Sequence, residues 1–126
     1  MKGINVSQVI LFHQKIISRT GGSDGIRDIS LIESALNRAF ATFDGKELYE
    51  DDLVKISVIT YGLINNHGFV DGNKRIGIAV MLFLLKINFI NVKYSQKELV
   101  ELGLKVATGE YKEKEIEDWI IGHQLD

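Results

Sequence analysis

The segment HGFVDGNKR, residues 67–75, runs without a break into IGIAVMLFLL, residues 76–85, and this junction decides the fold. The second half is apolar on every side of a helical projection, so it predicts a helix with neighbours all round. It is too short to span a bilayer, which takes about 20 residues. A buried central helix over Asn73–Asn88 is therefore expected. The first half breaks a local rule. Lys74 and Arg75 fall in the first turn, where each cation costs about 0.3–1 kcal/mol against the helix dipole unless an anion sits nearby. The other predicted helix starts carry Ser7, Asp28, Glu33, Glu50–Asp52, Ser95 or Glu98. Something negative is expected to visit the mouth of this helix.

The residue types around the mouth suit a phosphate. Gly72 allows a turn that aims several backbone N–H groups outward at the helix start. Asn73, Lys74 and Arg75 add side-chain donors, the arginine in bidentate fashion. Asp71 is the carboxylate of the loop and suits Mg²⁺, which takes one or two carboxylates beside phosphate oxygens and water. His67 supplies an imidazole, the side chain suited to general acid–base work at physiological pH. If the preceding helix persists it shares a face with Leu63 and Ile56, which aims the imidazole inward, toward the anion seat. A base there takes a proton from an attacking hydroxyl. Phe69 is expected as a buried peg. Taken singly, these residues have plainer readings: His67 as a satisfied interior histidine, Asp71 and Asn73 as caps, Lys74 and Arg75 as solvated charges. The conjunction against the dipole favours phosphate chemistry.

Working outward, five more helices follow from periodicity and caps. The first spans about Gln8–Arg19, with Ser7 as N-cap and Gly21-Gly22 as its stop. The second starts at the N-cap Asp28, with capping-box spacing at Ser30-x-x-Glu33. It buries Ile29, Ile32, Leu36, Ala39, Phe40 and Phe43. The turn dipeptide Asp44-Gly45, between Phe43 and Leu48, predicts a short hairpin or flap. Glu50, Asp51 and Asp52 open the third helix, which runs to about Asn66. Ser95-x-x-Glu98 caps a fifth, Gln96–Ala107, and a sixth over Lys112–His123 buries Ile116, Trp119 and Ile120. Gly62 and Gly77 are expected to permit close helix approach, and His13 to make a structural hydrogen bond.

The chain has 126 residues, 45% hydrophobic and 25% charged, and reads as one all-α domain over 1–126. A net charge of −2 and a pI near 5.9 argue against nucleic-acid binding, which needs a basic face. The absence of cysteine excludes disulfides and thiolate chemistry. With no signal-peptide core and no membrane span, a cytoplasmic protein is expected.

The segment His67–Arg75 resembles the core motif of the Fic/Doc superfamily in its Doc ("death on curing") toxin form. The similarity extends to Leu11-Phe12-His13, Ser18-Arg19-x-Gly21-Gly22, Arg27-Asp28, Glu33-Ser34-Ala35-Leu36, Thr42-Phe43, Leu48-Tyr49 and Ala107-Thr108-Gly109-Glu110. The resemblance implies a compact six-helix fold with His67 as catalytic base and Asp71 as the metal-binding carboxylate. Gly72, Asn73, Lys74 and Arg75 would form the anion hole, with Arg75 also catalytic and Phe69 structural. The flap Phe43, Asp44, Gly45, Lys46, Glu47 and Leu48 would align a target segment by backbone pairing.

Departures from the wider family select the reaction. AMP-transferring members resemble H-P-F-x-[DE]-G-N-G-R-x-x-R, whereas this chain has Lys74 for the third glycine and Ile78 for the last arginine. Doc toxins share both replacements. The resemblance then implies a kinase that moves the γ-phosphate of ATP, with Mg²⁺, to a hydroxyl of a translation factor such as elongation factor Tu. AMP transfer and a non-catalytic binding module are the alternatives. Gly68, where the family has a larger residue, is expected to loosen the loop. No inhibitory [ST]-x-x-x-E-[GN] motif is present, so the resemblance implies a separate antitoxin that folds on binding.

Overall fold

The computed structural model describes residues 1–125. Among the described residues there are six helices: α1 (Val6–Thr20), α2 (Ile29–Asn37), α3 (Asp52–Asn65), α4 (Asn73–Ile87), α5 (Gln96–Ala107) and α6 (Glu113–His123). A single 3₁₀ turn, Arg38–Phe40, and a hairpin of β1 (Thr42–Phe43) and β2 (Lys46–Glu47) lie between α2 and α3. The all-α reading of the sequence stands.

Helices α3 and α4 form the centre. α3 packs against α2, α4, α5 and α6, while α4 also touches α1 and α5. Ile56, Ile59 and Leu63 of α3 meet Ile76, Val80, Met81 and Leu84 of α4 in one continuous buried cluster. Each such side chain contributes about 1.5–3 kcal/mol on leaving water. A Cβ at Gly77 would collide with the Ile64 side chain, so the close approach expected there is real. The expectation of neighbours on every side of α4 needs one amendment. Ile78, Ala79, Leu82 and Phe83 are only half-buried, and three of them line a groove described below.

The hairpin pairs Thr42 with Glu47 and Phe43 with Lys46. Asp44 and Gly45 both take positive φ, 54° and 77°, as a primed two-residue turn requires. Its return strand is tied to α3 by Lys55, a buried lysine. The ammonium donates to the carbonyls of Tyr49 and Glu50 and pairs with the Glu47 carboxylate at 3.4 Å. Those partners match its three donors.

Several local expectations are corrected. The N-cap of α1 is Asn5, not Ser7. The Asn5 side chain accepts the Gln8 N–H at 2.8 Å and the Gln8 side chain accepts the Asn5 N–H at 3.0 Å. That reciprocal box satisfies two donors and starts the helix earlier. The Ser30–Glu33 box does not form, because the Asp28 carboxylate takes both the N–H and the hydroxyl of Ser30, at 3.0 and 2.6 Å. Phe40 and Phe43 leave the buried stripe and are 46% and 77% exposed. The helical period lapses at Asn37, and the chain continues as a 3₁₀ turn and an extended strand. Ile29, in the first turn, is likewise exposed.

Candidate active site

The loop begins where α3 ends. Asn66 keeps helical geometry and its N–H bonds to Gly62, but His67 turns left-handed, with φ +54°. This is the position after a helix that glycine usually fills, and a side chain there costs about 1–2 kcal/mol. The helix therefore does not persist to His67. Its imidazole is exposed instead of continuing the interior face of Ile56 and Leu63, which corrects the inward orientation expected from spacing. A strained, solvent-facing imidazole is unlike a satisfied core histidine, and backbone strain of this kind clusters at functional sites.

The expected looseness at Gly68 is not observed. Its carbonyl accepts the N–H groups of Arg27 and Asp28 at 2.8 and 3.0 Å, and Val70 N–H donates to Gly25 at 3.0 Å. An isolated bridge joins Ile26 to Phe69. A Cβ on Gly68 would stand 2.5 Å from Ile32, so the missing side chain lets the loop press against α2. Phe69 is buried, as expected of a peg. The ring of His13 stacks on it with centroids 3.8 Å apart. His13 Nε2 lies 2.7 Å from the Asp71 carbonyl, and a carbonyl only accepts, so that nitrogen carries the hydrogen. The structural bond expected of His13 thus fixes the peptide ahead of Gly72.

Gly72 adopts φ +79° and caps α4 without a side-chain bond. Ile76 N–H closes the first helical turn onto Gly72 at 2.9 Å. Among the described residues the N–H groups of Asn73, Lys74 and Arg75 have no acceptor. Lys74 is exposed at the same mouth. Arg75 Nη1 donates to Thr20 Oγ1 at 2.5 Å and to the Gly21 carbonyl at 2.7 Å, and Nη2 lies 3.6 Å from Asp71. The guanidinium is thereby held beside the mouth by the end of α1. Asn73 sits differently from the other three. Its carboxamide bonds Phe69 in both directions, accepting at 3.2 Å and donating at 3.0 Å, so here the side chain braces the loop and only its backbone faces the mouth.

The Asp71 carboxylate accepts N–H bonds from Ser23 at 3.2 Å and from Gly72 at 2.8 Å. Those two amides, Ser23 foremost, hold its carboxyl below the ordinary carboxylate range, with Arg75 and His13 adding to the effect. An ionised, partly exposed carboxylate suits a hard divalent cation. No group of three His, Cys, Asp or Glu converges among the described residues, so an ion held here would draw its remaining ligands from phosphate and water. Beyond the mouth, Ile16, Ile78, Leu82, Leu99 and Leu104 line an apolar groove of about 410 Å³ between α1, α4 and α5, with Lys74 and Arg75 at its edge.

Sequence reasoning noted Arg27 and Gly21 only as positions of the resemblance, gave them no role, and did not foresee the contacts of Ser23 or the Thr20–Gly21 grip on Arg75. These are contacts across 40 to 55 residues of chain, with no local pattern to announce them.

A family model described as the Fic/DOC family matches residues 3–85, which include the whole loop and most of α4. The chain belongs to the Fic/DOC family. It is 32% identical over 120 residues to the protein kinase Doc of Escherichia phage P1, across 94% of this chain and 92% of that one. It is also 35% identical over 72 residues to the toxin Doc of Mycolicibacterium smegmatis, covering 57% of this chain and 55% of that relative. The residues matched by the family model include the mouth of α4 and its unpartnered donors.

Proposed function

We propose that this chain is a toxin of the Doc kind, a kinase that moves the γ-phosphate of ATP to a serine or threonine hydroxyl of a translation factor. The observation that carries the reading is the mouth of α4, with three backbone N–H groups lacking an acceptor and two cations where the dipole disfavours them. A polyphosphate relieves both at once. The names of the two relatives, a protein kinase and a toxin, support the same reading.

In this mechanism His67 accepts the proton of the target hydroxyl as its oxygen attacks the γ-phosphorus. The new O–P bond forms while the bond from phosphorus to the bridging oxygen of the β-phosphate breaks, and ADP leaves. The amides of Asn73–Arg75, with Lys74 and Arg75, stabilise the charge that develops on the phosphoryl oxygens. Asp71 would hold Mg²⁺, which when bound neutralises phosphate charge. The hairpin from Phe43 to Leu48 offers exposed edges to an extended target segment, by main-chain pairing. Elongation factor Tu is the acceptor favoured by resemblance, and a toxin acting on it works in the cytoplasm. A separate antitoxin segment that folds on binding fits the apolar groove beside Lys74 and Arg75.

The test uses ATP labelled at either phosphate, with elongation factor Tu as acceptor. Label entering protein from the γ position alone supports the kinase. Label from the α position means AMP transfer, and no label with unaltered growth inhibition by His67→Ala means a binding module.

A further inference from the structure

We infer that Arg27 is a positioning residue for His67. It acts as a side-chain cap on the end of α3 that holds the left-handed turn from which the imidazole projects. The inference rests on the reading of His67 as the base. Arg27 lies outside the motif, in the strap Gly25–Asp28 that runs antiparallel to the loop through the Ile26–Phe69 bridge. Its Nε donates to the His67 carbonyl at 2.7 Å and its Nη2 to the Asn66 carbonyl at 3.4 Å. Its own N–H bonds Gly68 at 2.8 Å. Main chain and side chain of one residue thus hold three consecutive carbonyls, those of Asn66, His67 and Gly68.

Those carbonyls lie where the helix has stopped and His67 holds φ +54°. A non-glycine residue stays in that region only when its surroundings over-determine it. The carbonyls at a helix end carry partial negative charge, which favours a cation, and the guanidinium presents a rigid fork of donors to two of them. The Arg27 side chain is exposed, so its burial does not explain the contact. What it fixes is the peptide on either side of the base, and with that the direction in which the ring leaves the chain.

Arg27→Met and Arg27→Lys are compared with wild type and His67→Ala. The readouts are γ-phosphate transfer to elongation factor Tu, the unfolding temperature, and the three-bond amide–Hα coupling of His67, which reports φ. Since about 1 Å of misplacement can cost about 100-fold in rate, Arg27→Met should lower kcat about 10- to 100-fold. It should leave the KM for ATP within about twofold, because the mouth of α4 is untouched, and it should shift the His67 coupling. Arg27→Lys, which keeps a donor for the His67 carbonyl, should recover most of kcat and the coupling. An unchanged coupling in Arg27→Met overturns the inference whatever the rate does. A shifted coupling with wild-type kcat also overturns it. Full transfer by His67→Ala, or none by wild type, defeats the reading of the base instead. The coupling then decides by itself whether Arg27 sets this turn.

Discussion

At the start of α5, Ser95 accepts the Glu98 N–H at 3.2 Å, Glu98 accepts the Ser95 N–H at 2.9 Å, and the same carboxylate meets His123 Nε2 at 2.6 Å. At the start of α4, Gly72 offers no side chain, the next three N–H groups have no acceptor among the described residues, and the first turn carries two cations, while the nearby carboxylate, Asp71, is engaged by Ser23, Gly72 and Arg75. Both helices face the same requirement, that N-terminal amides need acceptors and the dipole needs negative charge. α5 meets part of it from within the chain: the Glu98 N–H has an acceptor and the Glu98 carboxylate supplies negative charge, while the N–H groups of Gln96 and Lys97 have no acceptor among the described residues. α4 leaves it for something outside. The difference teaches where to look for function: one end has a side-chain cap and an acidic residue in its first turn, and the other has neither.

The largest expected effect separates chemistry from binding at the α4 end. His67→Ala should reduce phosphate transfer by about 10²–10⁴, with ATP affinity within about twofold of wild type. Calorimetry and a transfer assay on one preparation check both halves. Arg75→Ala should do the reverse in binding. It loses charge-assisted bonds to phosphate worth about 1.5–3 kcal/mol, so ATP affinity should fall tenfold or more by calorimetry. Equal affinity in the two variants would count against the anion seat.

Lys74→Glu makes the α4 start resemble that of α5. Removing a disfavoured cation and adding an anion should stabilise the fold by roughly 1 kcal/mol, a few degrees in unfolding temperature, while weakening ATP binding. A scanning-calorimetry trace with a lower midpoint would contradict the dipole argument.

The smallest effect lies at α5 and depends on pH. The bond to His123, then those to Ser95, hold the Glu98 carboxyl below its ordinary value. Because the folded value is the lower one, its contribution is complete above the unfolded range, about 4.3, and is lost as pH falls below it. Glu98→Gln should be less stable at neutral pH and lose less on acidification, read as urea midpoints near pH 7 and pH 3.5. Parallel losses in the two proteins would show that this carboxylate is not responsible.

The same contrast explains what the sequence revealed and what it hid. Signals within one turn of helix were legible: Asp28 and Ser95 as caps, the Asp44-Gly45 turn, and the cations at Lys74 and Arg75. Ser7 lost to Asn5 because two competing caps lay within three residues and only the earlier one formed a reciprocal pair. Phe40 and Phe43 misled because an apolar period carries on in sequence after the helix has ended. His67 misled for a related reason, since spacing assumes a continuing helix and gives no sign of a left-handed residue. The partners of Asp71, Arg75 and His67 on the 20–27 segment were invisible, being tertiary contacts between residues far apart in the chain.

The most direct test of the account follows individual amides of ¹⁵N-labelled protein by nuclear magnetic resonance while ATP and Mg²⁺ are added. The N–H signals of Asn73, Lys74 and Arg75 should move together and saturably, while those of Gln96, Lys97 and Glu98 stay in place. Saturation with the first group unmoved would contradict the account.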